Sequence, residues 1–539
     1  MHQSDASSES KSLFKIITDA FKELKETAIA FVNAPRALWG INLPYVIEGL
    51  VYFGILTILG KFASENIQLT DAQAGWVYSL VTGGITLAMV FLGGYTDKLG
   101  IRKSLLLAFG AMLIGRIIVA FSGSVPMGTG IFSMSFNVMI LGLLLMVIGY
   151  GLYQPAAYAG VKRYTNPQTA SMGYAVIYGL MNLGAFFSGF ISPLTRHQFE
   201  TIFPPNGLPA VFWLYGLLTL GALLLTYFIL SPKADAEAVE RIKHETETME
   251  GKKEKNNEEE TTSIKEKRKI NNIPFISFTF AALAGLGLII ASKNGFLFSE
   301  GAFGAFISYI LIAITLVFTI LAVWEFLRHR PEHPFRDKRF VFFIFILIPV
   351  QTLFAHNWLT VPYYLDRAFR GSVVSNYFEL FSNINPILIF ILTPIVAGLT
   401  ARANIYKMMI YGTIVMSLPT FLLVIGPRVE LFLIYVLLMS IGEAMWQPRF
   451  LQWIAEIAPE GKTGAYMGIG QLPWFLTKVV TGLYSGYFIA TYCPIPGPGI
   501  EQNTQFMWMF HGLIAIISPI ALILAKNWMM KGLKERHEG

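Results

Sequence analysis

Four ionisable residues lie deep inside long apolar runs of this chain: Glu48, Arg116, Glu443 and Lys478. An ionisable group at the middle of a bilayer is costly, so it is either paired or functional. A carboxylate in that setting can take a proton or hold an ammonium group. At about 1.5 Å per residue, Glu48 lies roughly 16 Å into its run and Arg116 at a similar depth in another. Glu443 and Lys478 share a depth in the same way. The two acids are read as functional, and Arg116 and Lys478 as their possible charge partners. His356, in mid-run, is more commonly a satisfied polar residue than a ligand. Tyr45, Tyr52, Gln154, Tyr178, Asn182, Asn385, Trp446 and Trp474 lie on the same set of runs. Buried amides in lipid need partners from another helix or from a ligand, and together these groups suggest a polar, substrate-binding cavity.

The elements that carry them are transmembrane helices. Of 539 residues, 54% are apolar and 14% charged, where a soluble domain carries about a quarter charged. Runs such as 104–121, 210–230, 306–326 and 506–525 hold few or no charges, near the ~20 residues a helix needs to cross the hydrocarbon. Six spans are expected at 37–62, 74–95, 103–122, 132–162, 171–193 and 208–230. Two follow at 274–293 and 304–327, and six more at 340–365, 375–401, 405–426, 430–457, 463–489 and 505–527, fourteen in all. The domain plan is a segment 1–35, a bundle 36–230, a charged linker 231–272, two additional helices 273–338, a bundle 339–528 and a tail 529–539. Positions 12–32 place Leu13, Ile17, Phe21, Leu24, Ala28 and Phe31 at helical spacing, an amphipathic helix for the membrane surface or the protein itself. The linker is rich in Glu and Lys and is expected to be flexible and aqueous.

Lys and Arg concentrate in alternate loops, at 97–103, 162–163, 231–272, 328–339, 402–407 and 526–536. The positive-inside rule makes these cytoplasmic, with both termini inside. It also accounts for the net charge of +7 without nucleic acid. A bacterial inner membrane is the expected location and a monomer the expected state. Cys493 is the one cysteine, so no intramolecular disulfide can form. The sequence offers no nucleophile–base pairing, phosphate loop or metal-ligand spacing. An enzyme is not expected, nor a metal or cofactor.

The two six-helix sets repeat each other. Ile148-Gly-Tyr-Gly-Leu-Tyr-Gln-Pro155 matches Ile441-Gly-Glu-Ala-Met-Trp-Gln-Pro448, Met172-Gly173 matches Met467-Gly468, and loop 94–103 echoes loop 398–407. Parallel halves of this kind place a substrate site at their interface, near the bilayer midplane.

The loop Gly93-Gly-Tyr-Thr-Asp97-Lys-Leu-Gly100-Ile-Arg102-Lys103 resembles the signature of the major facilitator superfamily. That resemblance implies the major facilitator fold, all-α and integral to the membrane, with two six-helix bundles and two extra helices between them. It also implies a gating role for Asp97, Arg102 and Lys103. Four further places resemble the proton-dependent oligopeptide transporter family. Glu48-Gly-Leu-Val-Tyr52-Phe-Gly54 is similar to the second half of its ExxERFxYYG motif, and Tyr178-x-x-x-Asn182 to its FYxxIN motif. Asn383-Ile-Asn385-Pro386, with Thr393-Pro394, resembles its eighth helix. Ser440-Ile-Gly-Glu443, with Pro448, resembles its tenth.

The resemblance implies proton-driven uptake, with Glu443 at a peptide amino end and Asn182 and Asn385 in contact with the peptide. Three departures stand against a plain transfer. The first glutamate of ExxER is Tyr45, its arginine is Gly49, and the fourth-helix lysine is Gln154. A buried peptide carboxylate without a cation would be costly. The expected function is therefore secondary transport of a small polar solute that is not an ordinary peptide, coupled to protons through Glu48 or Glu443. The alternatives are a di- or tripeptide symporter with a rebuilt charge network, and a membrane receptor or scaffold that does not transport.

Overall fold

The computed structural model describes residues 35–165, 170–250, 273–293, 302–330, 333–400, 403–457, 466, 469–470 and 472–537. The amphipathic helix expected at 12–32 lies outside them. The described residues form helices, with no strand among them. Among the described residues, nine helical segments are long and apolar enough to cross a membrane.

The first half holds α1 (Arg36–Lys61), α2 (Asp71–Leu99), α3 (Ile101–Ser124), α4 (Met134–Arg163), α5 (Ala170–Phe199) and α6 (Leu208–Ile229). A charged helix α7 (Pro232–Glu250) follows, then α8 (Ile273–Lys293) and α9 (Ala302–Arg328). In the second half, two of the expected spans are each broken into three pieces. One comprises α10 (Lys338–Ile346), α11 (Ile348–Leu359) and α12 (Val361–Ala368); the other comprises α13 (Val373–Asn376), α14 (Phe378–Ser382) and α15 (Ile384–Leu399). Then come α16 (Ile405–Ser417), α17 (Val429–Ile457), α18 (Leu472–Tyr492), α19 (Thr504–Ala515) and α20 (Ile517–His537). Pro349 and Pro362, each at the start of a helical piece, lack the N–H that a continuous helix needs at that point.

Two compact units result: Met1–Lys255 with Ile344–Gly539, and Asn256–Phe343. In the smaller unit α8 and α9 pack side by side through Phe275–Phe326 and Phe278–Phe318. Their apolar outer faces are exposed, as at Phe280 and Tyr309, which suits helices clothed in lipid.

In the larger unit, glycines bring helix backbones into direct contact. A Cβ on Gly115 would sit 2.6 Å from the Gly142 carbonyl oxygen, and the converse holds for Gly142, so α3 and α4 could not pack this closely with larger residues. In the second half Gly412 and Gly442 play the same part between α16 and α17, at 3.0 and 2.7 Å. The repeat counterpart of Gly442 is Gly149, whose Cβ would lie 2.9 Å from the Ala108 carbonyl oxygen, so this close approach recurs in both halves. Gly100 has φ +80 and makes the turn between α2 and α3, a conformation that L side chains rarely adopt.

The charged stretch after α6 departs from the expected flexible linker. Its first part is α7, with Ala234 and Ala238 buried one turn apart and Ala238 within the N-terminal core. Asp235 on this helix accepts from Tyr164 Oη at 2.6 Å and from Arg163 Nε at 3.1 Å. The apolar face is small and made of alanines, which is why a search for large apolar residues misses it.

Candidate functional site

Tyr45, Glu48 and Tyr52 follow one another at three and four residues and so share one face of α1. That face opens on a cavity of about 180 Å³. Thr82 and Thr86 from α2, Tyr150, Tyr153 and Gln154 from α4, Met181 from α5, Phe354 from α11 and Lys478 from α18 complete much of its wall. Both halves of the repeat therefore contribute. The aromatic side chains brace one another: Tyr45 stacks on Tyr153 with centroids 5.6 Å apart, and Tyr52 meets Tyr150 edge-on at 5.1 Å.

Glu48 is not a free acid. Arg116, fully buried on α3, donates from Nη1 to Glu48 Oε2 at 3.0 Å and from Nη2 to Oε1. Tyr150 also donates to Glu48 Oε1, and accepts from Arg116 Nη2 at 2.7 Å. Thr219 on α6 takes a further bond from Arg116. A bidentate guanidinium–carboxylate pair is the strongest form of such contacts, and here it welds α1, α3, α4 and α6 into one body. Glu48 and Arg116 thus meet at a similar depth on α1 and α3.

The other equal-depth pair does not form. Glu443 is buried on α17, and Asn385 Nδ2 donates to its Oε2 at 2.9 Å and to Ser440 Oγ at 2.9 Å. No cation lies in salt-bridge range of Glu443 among the described residues. Lys478 instead faces the cavity. Its Nζ is 3.4 Å from Tyr52 Oη and 5.8 Å from that ring's centroid, with no carboxylate partner among the described residues. The cavity thus has a paired acid, an unpaired base, and a second acid set back from its wall.

The remaining sequence-predicted positions divide as follows. Tyr45, Glu48, Tyr52 and Gln154 line the cavity, and Gln154 donates to Tyr45 Oη at 3.1 Å and Tyr158 Oη at 3.2 Å. Trp474 stands behind the wall, edge-on to Phe354 at 5.0 Å. Asn182 is half-buried on α5, and the Tyr178 side chain lies outside the described residues. His356, Asn385, Glu443 and Trp446 are not in the wall. Trp446 is a packing residue, its Nε1 turned to Met416 Sδ at 3.1 Å beside Gly412. His356 is satisfied within the second half by Thr360 Oγ1 at 2.6 Å and Tyr484 Oη at 3.0 Å, with its ring 3.9 Å from that of His511.

Sequence reasoning missed Tyr150 and Tyr153. The signal was present in the repeat, which sets Tyr150 opposite Glu443 and Tyr153 opposite Trp446. Gly49 also gains an explanation. A Cβ there would lie 2.7 Å from the Met181 carbonyl oxygen, so α5 occupies the space that a longer residue would need.

Arg102 does not reach across the cavity. It donates to the Leu230 carbonyl at 2.7 Å and the Tyr227 carbonyl at 3.4 Å, at the end of α6. Lys103 is exposed on α3, and Asp97 sits in the last turn of α2 with its side chain undescribed. At the opposite end of the helices, ion pairs link the two halves. Arg367 on α12 holds Asp71 on α2 at 2.7 and 2.9 Å. Lys61 on α1 holds Asp366, and Arg196 on α5 holds Glu379 on α14 at 2.7 Å.

Residues 43–369 match the family model of the Major Facilitator Superfamily, and the chain belongs to that superfamily. It is a multi-pass membrane protein of a superfamily of transporters. The chain is 26% identical over 177 residues to the niacin transporter NiaP of Acinetobacter baylyi, a match covering 32% of this chain and 38% of that transporter. Less than half of that relative's length is therefore spanned. Among solved structures, a mutant of the peptide transporter POT is similar with a TM-score of 0.62 at 16% identity, covering 92% of this chain and 96% of the other. A POT family transporter in complex with 5-aminolevulinic acid gives 0.57 at 16% identity, covering 92% and 97%. At these identities the likeness establishes a shared fold.

Proposed function

We propose that the chain is a secondary active transporter that moves a small polar solute other than an ordinary peptide, by alternating access and with proton coupling. The observation that carries this reading is the state of the charges around the cavity. A zwitterionic peptide needs an acid for its amino end and a base for its carboxylate. Glu48 is saturated by Arg116 and Tyr150, and Gln154 and Gly49 stand where the resemblance implies a lysine and an arginine. Glu443 is the candidate proton site. A buried acid whose one described partner is an amide is costly as an anion, and a bound proton removes that cost. The positive-inside rule favours a cell membrane with the Arg102 end cytoplasmic.

The likeness to peptide transporter structures supports a second reading, a di- or tripeptide symporter. Counterflow in proteoliposomes separates the two, with niacin, 5-aminolevulinic acid and alanyl-alanine as labelled probes. Exchange of niacin and not of the two zwitterions, with accumulation driven by an imposed pH gradient, is the expected result. Glu443→Gln should keep exchange and lose gradient-driven accumulation. Exchange of alanyl-alanine alone would establish the second reading, and accumulation indifferent to both the gradient and Glu443→Gln would overturn proton coupling. Absence of exchange with any probe that binds would point to a receptor.

A further inference from the structure

We infer that the cavity is a site for a small planar monoanion, with Lys478 holding the carboxylate and the tyrosine-lined wall holding a flat ring. This deepens the transport reading by naming a substrate class for the same cavity.

Charge comes first. Among the described residues, the charged side chains that line the wall or bond to a lining residue are Glu48, Arg116 and Lys478, and Glu443 stands apart on Asn385. One negative and two positive charges leave a net of one positive charge, on Lys478. A monoanion neutralises it. A zwitterion or a cation would leave a charge unpaired in a setting where unpaired charge is costly. Lys478 is also ready to exchange partners. Among the described residues its Nζ has a long 3.4 Å contact to the Tyr52 hydroxyl and a position over that ring. A carboxylate displaces little, and the Tyr52 hydroxyl can then donate to the same anion.

Shape and surface come second. Six of the fifteen lining residues are aromatic: Tyr45, Tyr52, Phe53, Tyr150, Tyr153 and Phe354. Such side chains favour the faces and edges of another ring. The volume, about 180 Å³, suits one ring with one substituent, since an engineered apolar cavity of about 150 Å³ accepts a benzene. Gln154 and Thr86 add neutral hydrogen-bonding groups to the wall, able to read a ring heteroatom or hydroxyl without altering the charge balance.

The test uses the full-length purified protein and measures binding, which does not depend on transport. Benzoate is the probe, with benzamide, cyclohexanecarboxylate and alanyl-alanine as comparisons, read by thermal shift and calorimetry. Benzoate should bind more tightly than each of the others. Lys478→Gln should weaken benzoate roughly tenfold or more, the scale of one charge-assisted hydrogen bond, and leave benzamide unchanged. Lys478→Arg should retain most of the affinity, and Tyr52→Leu should lower benzoate more than cyclohexanecarboxylate. Unliganded melting of each variant shows whether it folds, and Lys478→Arg keeps the question answerable if the glutamine variant does not. Equal binding of benzoate and benzamide, or undiminished benzoate binding by a folded Lys478→Gln protein, would overturn the inference. So would Lys478-dependent binding of alanyl-alanine without benzoate. Lys478-dependent benzoate binding without counterflow would leave this site standing and sink the transport reading instead.

Discussion

The two halves of the molecule each bury a carboxylate near mid-depth, and they treat it in opposite ways. In the first half Glu48 is held by a bidentate Arg116 and by Tyr150, and the network ties four helices together. In the second half Glu443, at the position the repeat sets opposite Tyr150, has one neutral partner in Asn385. The first arrangement is rigid and electrically closed, and the second leaves the acid able to change its charge without breaking an ion pair. The lesson is that an intramembrane acid is not assigned a role by depth or by motif. What decides is whether a cation already answers it.

The largest expected effect tests the closed half. Arg116→Leu leaves Glu48 buried without its cation, which costs about 3–5 kcal/mol, and the purified variant should melt far below the wild type or fail to accumulate. A wild-type melting profile would show the network to be incidental. Glu443→Gln sharpens the contrast, because the amide can still meet Asn385 and its melting should stay within about 1 kcal/mol of wild type. A loss as large as that of Arg116→Leu would erase the distinction between the halves.

The described ion pairs between the halves, Asp71–Arg367, Lys61–Asp366 and Arg196–Glu379, lie at the end away from Arg102. At the other end Arg102 and Arg163 bond within the first half and to α7. An alternating-access carrier closed at one end should be stitched there. Cys493 reports on it, since Arg367 Nη1 donates to its carbonyl oxygen at 3.0 Å and the residue is buried. Burial pushes the thiol up to about 12, with Arg367 pulling against that shift. The closed form therefore presents a neutral, shielded thiol at physiological pH, and maleimide labelling must wait for opening. Asp71→Asn should raise the labelling rate several-fold by weakening the clasp. An unchanged rate would mean that this end does not open there.

Much of this was legible in the residues before any coordinates. Apolar runs located the helices, and a fixed rise per residue set Glu48 and Arg116 at one level. Depth says nothing about rotation around the helix axis. Glu443 and Lys478 share a level, yet Glu443 turns to Asn385 while Lys478 turns to the cavity. Trp446 has the chemistry of a site residue, but two glycines draw α16 and α17 together around it. Tyr150 and Tyr153 were hidden because what defines them lies on another helix: Tyr150 meets Glu48, and Tyr153 stacks on Tyr45. The clasp at Asp71 joins residues almost 300 positions apart and leaves no local pattern.

The smallest expected effect concerns α7. Tyr164 donates to Asp235 at 2.6 Å, and burial together with that bond holds its hydroxyl proton well above the usual tyrosine range. A group whose folded value is raised stabilises the fold below its unfolded value, about 10, and that stabilisation fades only as pH rises through the higher folded value. Tyr164→Phe should therefore lower stability by about 1 kcal/mol, by the same amount at about pH 6 and about pH 9, because Tyr164 is protonated in both. Asp235→Asn should lose the Arg163 pair as well, though a half-exposed pair adds little. If α7 serves only as a solvated linker, neither substitution should alter protease cleavage after residue 230. If it anchors the charged stretch to the first half, both should speed that cleavage while leaving benzoate binding at Lys478 untouched, since neither residue lines the cavity.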